Sequence, residues 1–273
     1  MKVTTNGVTL EVVDEGRGEP VLLLHGFPDS AALWRHQIPA LVEAGYRVIA
    51  PDLRGFGESD RPADPAAYAM PVLIADVLGL LKALDVERAA VVGHDWGAGL
   101  AWSLAMAAPQ VVQRLAVLSI GHPAGYFVDS MEQRERSWYA LFFQFAGVAE
   151  EALRRDDWAL WRLLLRGEGD VDRNLAAMGR PGALTAALNW YRANLPPTAF
   201  GLTSPAPLPS VGGPVLGIWS DGDHHCGEAQ MLASGGHVTG PWRYERVAGA
   251  SHWIPLDAPD QVNQLLLGFL DES

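Results

Sequence analysis

The stretch Val91–Trp102, VVGHDWGAGLAW, decides the fold. Its first residues are small and β-branched, as a buried strand requires. The chain then passes through Gly93-His94-Asp95-Trp96-Gly97 and continues as an alanine-rich helix. A Gly-x-x-x-Gly crossing from strand to helix predicts a sharp turn. Its central residue, Asp95, sits in a strained conformation above the sheet, and Gly93, Gly97, Ala98 and Gly99 give the backbone room to pass. The helix beginning at Trp96 aims its first N–H groups at the turn and favours negative charge there. Taken alone, the turn is equally compatible with an Asp95 that merely caps the helix.

Outward from that turn the same alternation repeats. PVLLLHG (20–26), YRVIAPD (46–52), RAAVVGHD (88–95) and RLAVLSIGH (114–122) are short apolar strand runs, with helices predicted from near Ser30, Pro71 and Trp96. Continuously apolar strands alternating with helices predict an α/β chain with a mostly parallel sheet covered on both faces. Asn6-Gly7 supplies the positive φ angles of a tight hairpin, so VTT and VTLEVV should pair antiparallel. The alternation stops near His122 and resumes with PVLGIWSDGD (214–223), WRYERVAGASH (242–252) and a helix from Asp260 to Leu270 that Asp257 is placed to cap. Residues 122–208 hold no strand-like run. Their main helices are expected in SWYALFFQFAGVAEEALRRDDWALWRLLLRG and in ALTAALNWYRANLPP, which Pro196 and Pro197 stop. The expected organisation is a core of residues 1–121 and 209–273 with a helical cap, 122–208, inserted into it.

At 273 residues and 49% hydrophobic the chain is long enough for one large domain with an insertion. A formal net charge of −12 argues against nucleic acid or an anionic membrane as partner, because both are bound by clustered Lys and Arg. Cys226 is the single cysteine, so no internal disulfide is possible and a reducing compartment is favoured. The first residues lack an apolar run of signal-peptide length, and no long uncharged apolar run follows. A soluble, cytoplasmic protein is therefore expected. A homodimer is left open.

Two more segments bear on Asp95. HGFPDS (25–30) follows a buried strand and precedes a helix, as a loop offering a backbone N–H to an oxyanion would. GASHWIPLDAP (249–259) places His252 just after the last strand. Between them GIWSDGD ends a strand with Asp221 and Asp223. With HGFP, GHDWGA and the late SHW together, the sequence resembles an α/β-hydrolase over essentially its whole length. That resemblance implies the α/β-hydrolase fold, with Asp95, Asp223 and His252 in the order nucleophile, acid, base. Family spacing favours Asp223 over Asp221 as the acid. The strand ending in SIGH offers no alternative carboxylate.

An aspartate in the nucleophile's place suits attack on saturated carbon. It forms an ester, which water can hydrolyse, where serine would form an inert ether. His252 would then activate water, and the oxyanion would sit between the N–H groups of Phe27 and Trp96. The electrophiles in question are mainly epoxides and alkyl halides. An epoxide oxygen needs proton donors, and Tyr139 and Tyr191 each lie on an apolar helix face: Tyr139 with Phe142 and Phe143, Tyr191 with Leu184, Leu188 and Leu195. Ordinary packing is the competing reading of each. The segments around them are similar to those that carry the paired lid tyrosines of α/β-fold epoxide hydrolases. The resemblance implies that Tyr139 and Tyr191 bind and protonate the epoxide oxygen. The alternatives are a haloalkane dehalogenase, many of which have asparagine at the position of Phe27, and a ligand-binding protein without turnover.

A pocket for a small apolar epoxide is expected from His25 and Pro28, from the aromatics Trp138, Phe142, Phe143 and Trp190, and from His122 at the hinge. His25 is read mainly as holding the oxyanion loop through hydrogen bonds. His94 should point away from the site, and DLRGFGESD (52–60) reads as a structural loop beside it. His224, His225 and Cys226 are adjacent, so their side chains diverge and lack metal-ligand spacing; no metal or cofactor is expected.

Overall fold

The computed structural model describes residues 1–126, 131–201 and 207–272. Strands β1 (Lys2–Thr5) and β2 (Val8–Gly16) form the antiparallel hairpin. Asn6 and Gly7 turn between them at φ 45° and 75°, the positive values expected of that dipeptide. There follow β3 (Pro20–Leu24), β4 (Arg47–Pro51), β5 (Ala89–His94), β6 (Val112–Leu118), β7 (Val215–Ser220) and β8 (Trp242–Val247). The eight strands lie in the order β1-β2-β4-β3-β5-β6-β7-β8. β2 pairs antiparallel with β4, and every pair beyond that is parallel. Val21–Leu24 are completely buried, and every residue of β5 and β7 is buried, as strands covered on both faces must be. Leu24 is level with Gly93, so β3 and β5 end side by side and their loops meet.

Helices α1 (Gln37–Glu43), α2 (Met70–Ala83) and α3 (Trp96–Ala107) connect the first strands. Between β6 and β7 come α4 (Met131–Arg136), α5 (Trp138–Phe142), α6 (Val148–Leu165), α7 (Val171–Met178) and α8 (Ala183–Asn194), with no named strand among the described residues. Within the span 122–208, residues 127–130 and 202–206 lie outside the described ones. The chain closes with α9 (Glu228–Ala233), α10 (Ile254–Asp257) and α11 (Pro259–Asp271). No helix among the described residues is long and apolar enough to cross a membrane.

Two local expectations are corrected. The stretch read as the first main helix of 122–208 is broken. Gly147, at φ 78°, separates α5 from α6, and left-handed residues Asp156, Asp157 and Trp158 interrupt α6 itself. Aspartate tolerates that backbone region better than most residues, so a helical hydrophobic pattern can continue across a break it does not reveal. Asp257 does not cap α11, which starts after Ala258 with Pro259 in its first turn. Its carboxylate accepts from the N–H and hydroxyl of Ser251 and so ties down the residue preceding His252.

The loop 52–60 is a scaffold. Asp52 accepts from the N–H groups of Ala31 and Glu58, and Arg54 forms a buried ion pair with Asp76 on α2 at 2.6 Å. That loop in turn anchors α8. The Trp190 indole donates to the Arg54 carbonyl at 2.9 Å, and Asn194 binds both Tyr68 O and Met70 N. Gln144, just after α5, donates to the carbonyls of Tyr191 and Leu195, joining the two segments that hold the tyrosines.

Candidate active site

Asp95 occupies the turn between β5 and α3 at φ 52°, ψ −124°, a conformation that non-glycine residues adopt at a cost. The close approach behind it depends on glycine: a Cβ on Gly97 would stand 2.0 Å from the Leu24 carbonyl oxygen, and one on Gly93 would stand 2.4 Å from that of Gly97. Gly99 is different. Nothing but a Trp96 ring atom at 4.0 Å faces its added Cβ, so the turn does not need it. The Asp95 side chain makes no capping hydrogen bond to α3, which removes helix capping as the reason for a carboxylate here. Oδ1 instead accepts from the Phe27 N–H at 2.7 Å, and Oδ2 lies 3.3 Å from His252 Nε2. Trp96 opens α3, so its N–H is among those without a carbonyl partner inside the helix.

His252 follows β8 and is buried. Its Nδ1 bonds Asp223 Oδ2 at 2.8 Å, while Asp223 Oδ1 accepts from the N–H groups of His225 and Cys226, both at 2.8 Å. Asp221, the competitor, points outward to the Gly249 N–H and Arg246. Burial opposes charge on all three catalytic candidates, but their proximity prevails. Asp223 and Asp95 hold the imidazole well above its ordinary range, and His252 holds both carboxyls below theirs. His94, whose ring touches that of His252, donates to the His252 carbonyl at 2.9 Å, and the Ser119 hydroxyl donates to the same oxygen.

Tyr139 and Tyr191 stand edge to face, with ring centroids 5.9 Å apart. Burial, then neighbouring groups that include Asp95, push both phenols well above their usual pKa, so they are proton-bearing donors. With Asp95, His252, Phe27, Leu164, Leu165, His225 and Trp253 they line a cavity of about 20 Å³. That is room for one water. A larger open groove of about 730 Å³, near Ala63, Gly147 and Arg154, contains none of these groups and is not the site.

Most of the residues expected to form the pocket wall stand outside this cavity. His122 is buried but stacks on His237 and packs against Trp102, outside the cavity wall. Trp138 is 49% exposed and stands beside Phe142, outside the cavity wall. Trp190 faces Phe56 and Trp96 as an anchor. Pro28 is buried behind the loop. His25 braces it, bonding the Gly26 carbonyl through Nδ1 and accepting the Leu53 N–H through Nε2. Phe143 comes nearest, packed against Phe27 and both tyrosines without facing the cavity. Helical periodicity marks which residues are apolar, and the breaks around Gly147 and Asp156 decide which of them turn inward. Leu164, Leu165 and Trp253 are not among the expected pocket residues, and His225 enters the expectations only with His224 and Cys226, as a set without metal-ligand spacing. Trp253 and His225 had one signal, their places one residue after His252 and two after Asp223.

The three adjacent residues diverge: His224 is exposed and 3.8 Å from Glu168, His225 lines the cavity, and Cys226 is buried. Ligand atoms of Asp223, Cys226 and His252 lie within 4.8 Å of one another. However, burial pushes the thiol up to about 12, and the Asp223 oxygens are committed to the imidazole and two backbone N–H groups. That donor set does not suit a cation.

The profile of the alpha/beta hydrolase fold family matches residues 19–259. The AB hydrolase superfamily protein YfhM of Bacillus subtilis is 37% identical over 98% of this chain and 96% of its own. Epoxide hydrolase A of Mycobacterium tuberculosis is 34% identical over 98% and 96%. The crystal structure of Bacillus megaterium epoxide hydrolase in complex with an inhibitor superposes with a TM-score of 0.90 at 28% identity, over the full length of both chains.

Proposed function

Because the chain belongs to the α/β-hydrolase fold family, we propose that it is an epoxide hydrolase working through a covalent ester on Asp95. Residues 1–121 and 209–273 are its core and 122–208 its cap. The observation that supports this most directly is a carboxylate in the nucleophile turn, held between the Phe27 N–H and His252 beneath two un-ionised phenols.

The proposed cycle has two halves. Asp95 Oδ attacks a ring carbon, the carbon–oxygen bond of the epoxide breaks, and Tyr139 and Tyr191 bind the freed oxygen and protonate it. Ester formation removes the Asp95 charge, one of the two that keep a proton on His252. That proton then replaces the one given up by the phenols, and the imidazole is left neutral. In the second half neutral His252 takes a proton from water, whose oxygen attacks the Asp95 carbonyl carbon. The N–H groups of Phe27 and Trp96 receive the oxyanion, and collapse releases the diol as its alkoxide accepts the His252 proton; the proton left on the Asp95 carboxyl then passes to His252, restoring the starting ion pair. Asp223 keeps the imidazole oriented and balances its charge. No step calls on a cofactor. Substrate and water are the only reactants, and the apolar Leu164, Leu165 and Phe27 favour a small apolar epoxide.

A dehalogenase would need N–H donors for halide where this cavity presents phenols. The deciding experiment is one turnover in oxygen-18 water with enzyme in excess. Label should enter the Asp95 carboxyl and be absent from the first diol formed. Label directly in the diol overturns the ester route, and turnover of a bromoalkane in preference to an aryl epoxide overturns the substrate class.

A further inference from the structure

His225 is a buried, un-ionised imidazole in the wall of the reaction cavity, and neither half of the cycle above uses it. Its backbone is fixed at both ends: the N–H donates to Asp223 Oδ1 at 2.8 Å, and the carbonyl accepts from Gln133 Nε2 at 3.0 Å. Its ring is fixed by three edge-to-face contacts, to Tyr139, His252 and Trp253, with centroids 5.6, 5.2 and 5.8 Å away. Against that rigidity stands one unmet need. Nε2 of His225 is buried and has no hydrogen-bond partner among the described residues. Buried nitrogens of this kind are rarely left orphaned, and a small cavity with several polar groups on its wall is where an ordered water resides. The cavity here holds about 20 Å³ and is bounded by His225, His252 and Asp95.

We propose that His225 is a further catalytic residue, a second acceptor that holds the hydrolytic water between its Nε2 and the Nε2 of His252. The inference rests on the ester mechanism. A water donating one O–H to each imidazole has both hydrogens engaged, and a lone pair is left for the Asp95 carbonyl carbon. One hydrogen bond would leave it free to swing about that bond. His252 takes the proton in the attack; His225 keeps its own proton on Nδ1 and gains none. Burial and the neighbouring His252 depress His225 to about 4, so it stays an acceptor through the neutral range.

The two half-reactions separate the possibilities. His225→Phe removes the acceptor while filling the space, and His225→Gln retains an acceptor at similar reach. In stopped-flow and quenched single turnovers of an aryl epoxide, His225→Phe should form the ester within about twofold of the wild-type rate. Its hydrolysis should slow by about tenfold or more, the weight of one hydrogen bond to an activated water. The adduct on Asp95 should then accumulate in intact-mass spectra, kcat and KM should fall together, and His225→Gln should recover most of the hydrolysis rate. An adduct that clears at the wild-type rate in His225→Phe overturns the proposal. So does a loss confined to ester formation, which makes His225 a wall of the substrate pocket, or equal damage in the Phe and Gln variants. If the His252→Gln enzyme never shows an adduct, the ester mechanism itself is wrong, and the His225 proposal falls with it for a separately visible reason.

Discussion

In the proposed reaction a phenol that gives up a proton must first keep it, and burial does this for Tyr139 and Tyr191. Either single Phe replacement leaves one donor. The double variant should slow ester formation by roughly 10²–10⁴-fold, measured as adduct appearance, while an ester formed beforehand hydrolyses at an unchanged rate. Asp29, the residue after the HGFP run, has the opposite balance. It accepts the Trp253 indole N–H at 2.8 Å, yet burial raises its carboxyl from 3.8 to about 7. The folded state therefore binds more protons than the unfolded one across that interval, so this group's contribution to stability declines as pH rises from about 4 to about 7 and is level above. Asp29→Asn should gain roughly 1–4 kcal/mol over wild type at pH 8 and little at pH 4, read from denaturant midpoints. At this scale Asp95 and Asp223 were legible because each follows a fully buried strand, where position fixes direction, and His252 because it follows the last strand of the alternation. His225 was not. Its orientation depends on a loop folding back on Asp223, which leaves no periodic trace.

Among the elements, α8 is the one whose placement matters most. Trp190 and Asn194 pin it to the core loop on one side, and Arg192 pairs with Glu150 of α6 on the other, both side chains 8% exposed. Arg192→Ala strands a buried carboxylate and should cost about 3–5 kcal/mol, whereas replacing both partners with Glu150→Gln and Arg192→Met should cost far less. Thermal melting of the two variants checks this, and equal losses would show that the pair does not act as a unit. The central strands β3, β4, β5 and β7 were readable end to end, since near-continuous burial leaves an unbroken apolar run. The helices of 122–208 were readable only in sum, because their breaks fall at Gly147 and at an aspartate pair that a hydrophobic pattern passes over.

Taken whole, the molecule leaves little space at its reacting groups. A cavity of about 20 Å³ is far below the roughly 300 Å³ at which ligand pockets begin, so in the proposed reaction substrate enters when residues 122–208 part from the rest of the chain. The ion pairs Arg35–Asp170 and Glu58–Arg180 cross that seam near the surface. Exposed pairs are worth about 0–1 kcal/mol, so Asp170→Asn should scarcely change melting. Joining Arg35→Cys and Asp170→Cys through a cleavable bis-maleimide should stop turnover until the linker is cut. Persistent activity in the linked enzyme would show that opening occurs elsewhere. Of the described residues around this space, only Leu164 and Leu165 have no polar side chain, backbone donor or neighbouring base tied to the proposed chemistry, and both lie in the last turn of α6. Inherited change can therefore accumulate at those two leucines, reshaping what the enzyme accepts while its reaction stays the same.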